Sequence, residues 1–463
     1  MSIAAVERRI PRERLLLAPA LALAAAAAFL LMRTLPDIAG KPWHEDEAVA
    51  GLIAARPLFD LLQIVVLDRG GAPLHFLLAH AAFAVDGSPQ TLRWLSLVFA
   101  LATIPLCYDL ARRLAGPFAG LTAAALAATS QLLAVYATFG RMYSLFAFSA
   151  ALSLDLFVRA LDQPGRRTLT IATGAALVPV MVHPFGIFLF AAEAMVAVWR
   201  WRLRAVPATA LAIPLVVPYL RLGGRYAPDV GMTAPGAMLR ALGGSAGGYG
   251  IGLAVFIALA IVGAWTLPRA FAALGLLVVA LPPLVLATLT ADKLSPRHLI
   301  FVLPVWTTFV AAGLTRVPGR VFVTAAAIAV AALAPTAVAD PRASTSDPTA
   351  AAAWVRTHVR GGDALYPYSP VFLAALPHTG IALPREPVAL ERMLRRTKGI
   401  KRTLVAIPTG RTWRIIEVPG PFGNVPQALA RAAPKLRGLA RAAALQLYAT
   451  STDGTSPHSS SSR

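Results

Sequence analysis

The chain has 463 residues, of which 57% are hydrophobic and only 14% are charged. Soluble domains carry about 25% charged residues, so this composition excludes an ordinary soluble protein and indicates one that faces lipid. The net charge is +21, but the Lys and Arg residues lie in short clusters between apolar runs or in the C-terminal quarter, and no nucleic-acid-binding motif is present. Nucleic acid is therefore not predicted as a partner.

The N-terminal region predicts a first membrane span. Four arginines between residues 8 and 14 precede an uncharged run at 15–32. The run is long and no small-x-small cleavage site follows, so we expect an uncleaved span rather than a signal peptide. The single cysteine, Cys107, lies in an apolar run and cannot form an intrachain disulfide. It is predicted to face lipid or the core.

Membrane spans are predicted wherever about 20 mostly apolar residues occur together. Eleven segments qualify: 15–35, 91–111, 117–139, 142–160, 168–183, 184–200, 205–222, 250–267, 270–290, 298–315 and 320–339. Segment 72–85 is apolar but short, and counting it as a span would place most basic clusters outside the cell. With 72–85 excluded and the N-terminus cytoplasmic, those clusters lie inside, as the positive-inside rule requires. The predicted fold is mainly α, a polytopic transmembrane bundle of about 11 spans.

This topology makes residues 36–90 one outer loop, with helices at 46–67 and 72–85 lying on the membrane surface. Residues 1–339 then form the transmembrane domain. Residues 340–449 combine an amphipathic helix with turn-and-strand units, which predicts a small extracytoplasmic α/β domain. This domain either contacts the acceptor, covers the site or has a purely structural role. The Ser-, Thr- and Gly-rich tail at 450–463 is predicted to be disordered.

An acidic turn follows the first span, in the sequence Trp43-His44-Glu45-Asp46-Glu47. A carboxylate at the membrane boundary can take a proton from an acceptor hydroxyl. Asp46 and Glu47 are also the oxygen ligands that Mg²⁺ or Mn²⁺ prefers, so a divalent cation is one alternative for this turn. The other is a solvated acidic turn that caps the following helix.

Cationic residues occur at the outer ends of later spans, where the positive-inside rule disfavours them. They are Arg141, His183, Lys293, Arg297 and His298. Each one alone could anchor a span at the interface. Together they predict an outward site with acids on one side and phosphate-binding cations on the other, since Arg suits bidentate contact with phosphate.

Polar residues within the apolar segments support weaker predictions. Asp155 and Arg159 are four residues apart on one predicted helix, which favours an ion pair between them. Glu193 lies in the middle of a span, where an acid is either functional or hydrogen-bonded to a neighbouring helix. The glycine-rich stretch 243–250 does not have phosphate-loop spacing and predicts an outer loop that could cover the site.

Several motifs resemble those of the GT-C glycosyltransferases, in the branch of the protein O-mannosyltransferases and the lipid A aminoarabinose transferases. The motifs occur in the family's order: "WHEDEA", "PLHFLLAH", "RWLSLVFALATIPLCYDLARRLAG", "GRMYSL", "HPFG" and "SPRHLIFVLP". The resemblance covers roughly residues 40–310. Many relatives have an acid just before the matched arginine, where this chain has Phe139-Gly140.

The resemblance implies an outward-facing site that moves a sugar from a polyprenyl phosphate to an acceptor hydroxyl. Asp46 would be the general base or a carboxylate that orients the acceptor, with Glu47 in place of the acid that is missing before Arg141, while Arg141, Lys293 and Arg297 would neutralise the lipid phosphate. His183, His298, Tyr143 and His75, which lie in the matched segments, are predicted substrate contacts as well. Direct displacement would invert the anomeric carbon.

Two other functions fit the sequence less well. A transporter or flippase of lipid-linked saccharides would tend to show two related halves and polar or broken helices at mid-membrane, whereas this chain has its polar clusters at one face. The third alternative is a non-catalytic scaffold. The acceptor is a protein, a glycolipid or a wall polymer, and the Ala-, Arg- and Pro-rich composition predicts a bacterial plasma membrane.

Overall fold

The computed structural model describes most of the chain. The described residues are 12–68, 72–202, 232–288, 294–333, 338–360, 363–367, 370–376, 401–409, 411–419 and 448–449. The chain divides into two compact units, of which the first contains Met1–Gly40 and Ala54–Asp340 and the second contains Lys41–Ile53 and Pro341–Arg463. Lys41–Ile53, which contains the acidic turn, therefore belongs to the same unit as the C-terminal segment, whereas residues 36–40 and 54–90 of the predicted outer loop belong to the first unit. Lys293 and the predicted tail lie outside the described residues.

The first unit is a bundle of helices. Including α2, which begins in the second unit, the helices are α1 (Arg12–Gly40), α2 (Glu45–Ala54), α3 (Leu58–Asp68), α4 (Leu74–Phe83), α5 (Pro89–Ala115), α6 (Pro117–Thr129), α7 (Gln131–Ala137), α8 (Tyr143–Asp162), α9 (Arg166–Val182), α10 (Gly186–Trp201), α11 (Ala234–Ser245), α12 (Gly250–Thr266), α13 (Arg269–Thr288), α14 (Leu303–Leu314) and α15 (Arg320–Leu333). A short 3-10 helix, Pro296–Val302, leads directly into α14. Aromatic side chains such as Phe139, Phe146 and Phe301 are fully buried in the shared core.

Five described helices are long and apolar enough to cross a membrane. They are Leu17–Gly40, Gln90–Ala115, Tyr143–Asp162, Arg269–Thr288 and Pro296–Leu314. The number rises to seven if two bent pairs each count as one crossing: α6 with α7, bent by 55°, and α11 with α12, bent by 84°. Large apolar side chains such as Trp265 and Phe322 are exposed, which suits contact with lipid. The fold is that of a multi-pass, mainly α membrane protein, as the composition predicts.

The eleven predicted spans are represented unevenly among the described residues. Three of the predicted spans, 168–183, 184–200 and 320–339, correspond to short helices. In the same order these are α9 with 17 residues, α10 with 16 and α15 with 14. These helices are shorter than the roughly 20 residues that a perpendicular crossing needs. Segment 205–222 lies outside the described residues. The count of eleven therefore stays a prediction.

Segment 117–139 was predicted as one continuous span, but the structure breaks it at Ser130. The Ser130 hydroxyl oxygen accepts the backbone N–H of Leu133 at 3.1 Å, which caps the start of α7. The same hydroxyl donates to the carbonyl oxygen of Gly244 at 3.0 Å. A hydroxyl that caps one helix and bonds another stabilises the break locally.

The prediction of an outer loop at 243–250 is wrong for the first half of this stretch. Residues 243–245 are the last turn of α11, and residues 243–248 are buried. A Cβ added at Gly244 would come within 2.6 Å of the Val338 side chain and 3.3 Å of the Leu132 side chain. Glycine therefore serves close packing at this position, and composition alone does not distinguish that role from a flexible loop.

The second unit contains a small sheet covered by helices. The strands are β1 (Asp363–Pro367), β2 (Arg402–Thr409), β3 (Thr412–Pro419) and β4 (Tyr448–Ala449), in the order β3-β2-β1-β4. β1 is parallel to β2, and the other two pairs are antiparallel. α16 (Thr349–His358) and α17 (Pro370–Ala374) contribute Ala352, Val355 and Phe372 to a core with Leu365 and Leu404. The α/β character predicted for this segment is confirmed.

Candidate active site

The acidic turn in the second unit begins helix α2. Glu45, Asp46 and Glu47 occupy its first turn, where negative charge is favoured by the helix dipole. Glu47 is buried, and its Oε2 accepts the backbone N–H of His44 at 3.1 Å. One carboxylate oxygen of Glu47 therefore caps the helix, as in the structural alternative for this turn.

Asp46 differs from Glu47 in its exposure. The Asp46 side chain is 33% exposed, and its Oδ2 lies 3.8 Å from Nδ1 of His44. The same Nδ1 accepts the backbone N–H of Asp46 at 3.1 Å, which holds the imidazole beside the carboxylate. Of these two predicted acids, Asp46 is the one with an accessible side chain.

The predicted cations of the first unit lie at helix ends. Arg141 precedes α8, and Tyr143 is its first residue. His183 directly follows α9, while Arg297 and His298 lie in the 3-10 helix before α14. We call Arg141, Tyr143, His183, Arg297 and His298 the cationic cluster.

The members of the cationic cluster come together around Tyr143. The guanidinium carbon of Arg297 lies 5.5 Å from the centroid of the Tyr143 ring. The rings of His183 and His298 lie 6.1 and 6.3 Å from that ring and 5.5 Å from each other. The charges of Arg141 and Arg297 both act on the two imidazoles. Residues from three distant stretches of sequence thus form one cationic and aromatic group.

Backbone hydrogen bonds orient both imidazoles of the cationic cluster. Nδ1 of His183 accepts the N–H of Phe185 at 3.1 Å, and Nδ1 of His298 accepts the N–H of Ser295 at 3.4 Å. A neutral imidazole that accepts at Nδ1 carries its hydrogen on Nε2. Each ring is therefore arranged to donate from Nε2, which suits contact with an anionic oxygen.

His75 lies on α4, beside the Arg141 part of the cationic cluster. Its ring is 5.5 Å from that of Phe76, and the guanidinium carbon of Arg141 is 5.8 Å from the same Phe76 ring. Burial, together with the nearby charge of Arg141, lowers the pKa of His75 to about 3. His75 is therefore uncharged at neutral pH, unlike the arginine next to it.

Three residues that the sequence did not single out also shape this region. Ser96 on α5 donates its hydroxyl to the carbonyl oxygens of Phe139, at 2.8 Å, and Arg141, at 3.3 Å, and so holds the turn that carries Arg141. Phe146 stacks on His183 with ring centroids 5.1 Å apart, and Phe185 packs at 5.4 Å against His298. Ser96 lies within an apolar helix, so only its contact 43 residues away reveals its role.

The predicted site residues fall into three groups. Arg141, Tyr143, His183, Arg297 and His298 form the cationic cluster, with His75 beside Arg141. Asp46 and Glu47 belong to the second unit, and Lys293 lies outside the described residues. No group of three or more His, Cys, Asp or Glu residues in the described part of the chain could hold a metal ion.

The solved structures that are similar to this chain include two of ArnT, a lipid A aminoarabinose transferase, from Cupriavidus metallidurans. In the apo state the TM-score is 0.49 at 15% identity, covering 65% of this chain and 60% of that one. For the structure of ArnT bound to undecaprenyl phosphate, the TM-score is 0.46 at 14% identity, and the match covers 65% of this chain and 61% of that one.

The present chain thus spans less than two thirds of the length of these ArnT chains. No family model matches the chain, and no curated protein matches it.

Proposed function

We propose that this protein is a membrane glycosyltransferase that moves a sugar from a polyprenyl phosphate to an acceptor hydroxyl on the outer face of a bacterial plasma membrane. The observation that carries the proposal is the cationic cluster. It combines two guanidinium groups with two imidazoles oriented through Nδ1, at the ends of apolar helices. Such a group suits a phosphate that is attached to a membrane lipid.

The chemistry needs charge stabilisation more than it needs acid catalysis. A lipid phosphate is already a good leaving group, so the negative charge that develops on it is the main quantity to stabilise. In this proposal Arg141 and Arg297 neutralise that charge, and the Nε2–H groups of His183 and His298 donate to the phosphate oxygens. The surrounding rings of Phe146 and Phe185 exclude water, which strengthens each electrostatic interaction.

The acceptor hydroxyl needs a base as its oxygen attacks the anomeric carbon. We assign this role to Asp46, because its side chain is accessible whereas Glu47 caps α2. In the step, the new C–O bond forms as the bond to the phosphate oxygen breaks, the hydroxyl proton passes to Asp46, and the lipid phosphate leaves. Attack from the face opposite the phosphate inverts the anomeric carbon. A divalent cation bound by Asp46 and Glu47 stays the alternative use of these acids.

A transporter of lipid-linked saccharides remains the second candidate because of two broken helices. The α6–α7 and α11–α12 pairs are bent by 55° and 84°, and Ser130 at one break bonds Gly244 close to the other. Broken helices are characteristic of transporters. A detergent-solubilised assay separates the two functions, since micelles have no second compartment and only a transferase would release the lipid phosphate from a glycosylated donor.

The deciding experiment is complementation of a deletion strain with wild type, Asp46→Asn or Glu45→Gln. Glycolipids, glycoproteins and wall polymers are profiled by mass spectrometry. We expect a sugar to disappear on deletion, to return with wild type and Glu45→Gln, and to stay absent with Asp46→Asn at equal protein level. Glu45 is the matched control because it is the exposed acid adjacent to Asp46. Full restoration by Asp46→Asn would remove Asp46 from the mechanism.

A further inference from the structure

His75 has a buried nitrogen for which the described part of the chain supplies no hydrogen-bond partner. The residue is 2% exposed, and its Nε2 is buried without a partner among the described residues. Buried polar groups are nearly always hydrogen-bonded, so such an atom calls for an explanation. Leaving it unpartnered opposes folding, which means that an apolar residue of similar size would serve the fold at least as well.

The surroundings of His75 suggest what the nitrogen binds. Arg141 lies against the neighbouring Phe76 ring, so His75 adjoins the proposed phosphate site. Because the pKa of His75 is lowered to about 3 by burial and by Arg141, its imidazole carries no charge at neutral pH. The His75 imidazole is not needed for the phosphate, which already has the two arginines and the Nε2–H groups of His183 and His298 as proposed partners. It can, however, donate to or accept from a hydroxyl group.

We propose that Nε2 of His75 forms a hydrogen bond with a hydroxyl group of the donor's sugar, which makes His75 a residue that distinguishes a glycosylated lipid phosphate from the bare lipid phosphate. This inference rests on the proposed function, since it assigns one part of the same donor. The arginines then bind the phosphate, which every polyprenyl-phosphate donor shares, while His75 contacts the variable part of the donor.

The test measures binding of defined lipids to the purified full-length protein in detergent. The probes are undecaprenyl phosphate and its mannosyl, glucosyl, galactosyl and arabinosyl derivatives. The variants are His75→Asn, His75→Gln and Arg297→Gln. Gln places a polar nitrogen or oxygen near the position of Nε2, whereas Asn does so near Nδ1. Arg320→Gln is the control for Arg297→Gln, because Arg320 also stacks on a ring, that of Phe118, with its guanidinium carbon 5.2 Å from the centroid.

We expect at least one glycosylated probe to bind wild type more tightly than undecaprenyl phosphate does. His75→Asn should weaken binding of that probe by about three- to tenfold, the usual effect of one neutral hydrogen bond, and leave binding of undecaprenyl phosphate unchanged. His75→Gln should retain most of the affinity. Arg297→Gln should weaken binding of both lipids, whereas Arg320→Gln should change neither.

The possible failures are distinguishable. If wild type binds undecaprenyl phosphate no better than Arg297→Gln does, the phosphate site and the proposed function fail together. If the arginine dependence holds but His75→Asn weakens both lipids equally, or neither, the assignment of His75 is overturned and the function stands. The assignment is also overturned if no glycosylated probe gains affinity over the bare phosphate.

A stability measurement guards against a folding defect in the Asn variant. His75→Phe removes the unpartnered nitrogen while filling the space, so its melting temperature should equal or exceed that of wild type. The same variant should lose the preference for the glycosylated probe. A His75→Phe protein that melts clearly lower than wild type would show that the imidazole serves the fold, and this would overturn the proposal.

Discussion

At the scale of single residues, one arginine of the second unit forms ion pairs with two acids on neighbouring strands. Arg402 donates from Nη2 to Asp363 Oδ2 at 2.6 Å and from Nη1 to Glu417 Oε2 at 2.8 Å. The Asp363 side chain is only 5% exposed. Burial alone would raise the pKa of Asp363, but the hydrogen bonds from Arg402 and from the backbone N–H of Arg360 hold it below its ordinary value of 3.8. These bonds link β1, β2 and β3.

The depressed pKa of Asp363 makes the second unit sensitive to acid. A carboxyl whose pKa is lower in the folded state contributes stability above its unfolded pKa and loses it as the pH falls through the folded pKa. Arg402→Gln should therefore destabilise this unit by about 2 kcal/mol at pH 7, the cost of lost hydrogen bonds to a charged group. The difference from wild type should shrink below pH 3.8. The rate of proteolysis of the C-terminal segment in the full-length protein is measured as a function of urea concentration and of pH. It gives the loss of stability at pH 7 and the smaller difference expected in acid.

The control for this prediction is Arg414→Gln on β3, because Arg414 is exposed. It should behave as wild type at every pH. Equal destabilisation by Arg414→Gln and Arg402→Gln would mean that the effect comes from net charge and not from the Asp363 pair.

The sequence predicts the role of a residue well when its partner is nearby in the chain or when its position is unusual for that residue type. The Asp155–Arg159 pair follows from four-residue spacing and is confirmed at 2.8 Å. Arg141, His183 and Arg297 were identified because cations are rare at outer span ends. Ser96 could not be found in this way, because its acceptor carbonyls belong to residues more than 40 positions away.

At the scale of elements, two glycines let α12 and α14 pack closely. A Cβ added at Gly263 would collide with the backbone of Phe309, and one added at Gly313 would collide with the backbone of Leu259. Each glycine thus faces the backbone of the other helix. Backbone atoms cannot move aside as a side chain can, so the separation of the two helices is set by the absence of both Cβ atoms.

Gly313→Ala should force α12 and α14 apart. Overpacking of this kind costs about 1–3 kcal/mol, so the melting temperature in detergent should fall. Gly174→Ala is the matched control, since a Cβ at Gly174 on α9 has nothing within 4 Å. It should leave the melting temperature unchanged or raise it, because alanine is favoured over glycine in a helix. Similar effects of the two changes would exclude close packing as the cause.

Helix positions follow from hydrophobicity, whereas helix breaks and close crossings do not. Predicted spans such as 91–111 and 270–290 correspond to single long helices, because a long apolar run satisfies its backbone only as a helix in lipid. Ser130 and Gly244 look ordinary in the sequence. Their contact depends on two helices that are over 100 residues apart, which the order of residues alone does not specify.

At the scale of the whole molecule, the prediction that matters most is which side of the membrane each segment faces. The positive-inside rule gives a cytoplasmic N-terminus only if the segment containing α4 does not cross. α4 has 10 residues, which corresponds to about 15 Å of helix, half of the roughly 30 Å hydrocarbon thickness. Its length therefore favours the predicted topology, in which the proposed site faces outward.

Cysteine labelling tests this topology directly, because the only native cysteine, Cys107, is buried and gives a low background. Gln163→Cys, between α8 and α9, should react with a membrane-impermeant maleimide only after spheroplasts are permeabilised. Ala343→Cys, in the C-terminal segment, should react in intact spheroplasts. Both positions are exposed. If α4 crossed the membrane, every later segment would change sides and the two results would be exchanged. The cationic cluster would then face the cytoplasm, and an outward-facing transferase would be excluded.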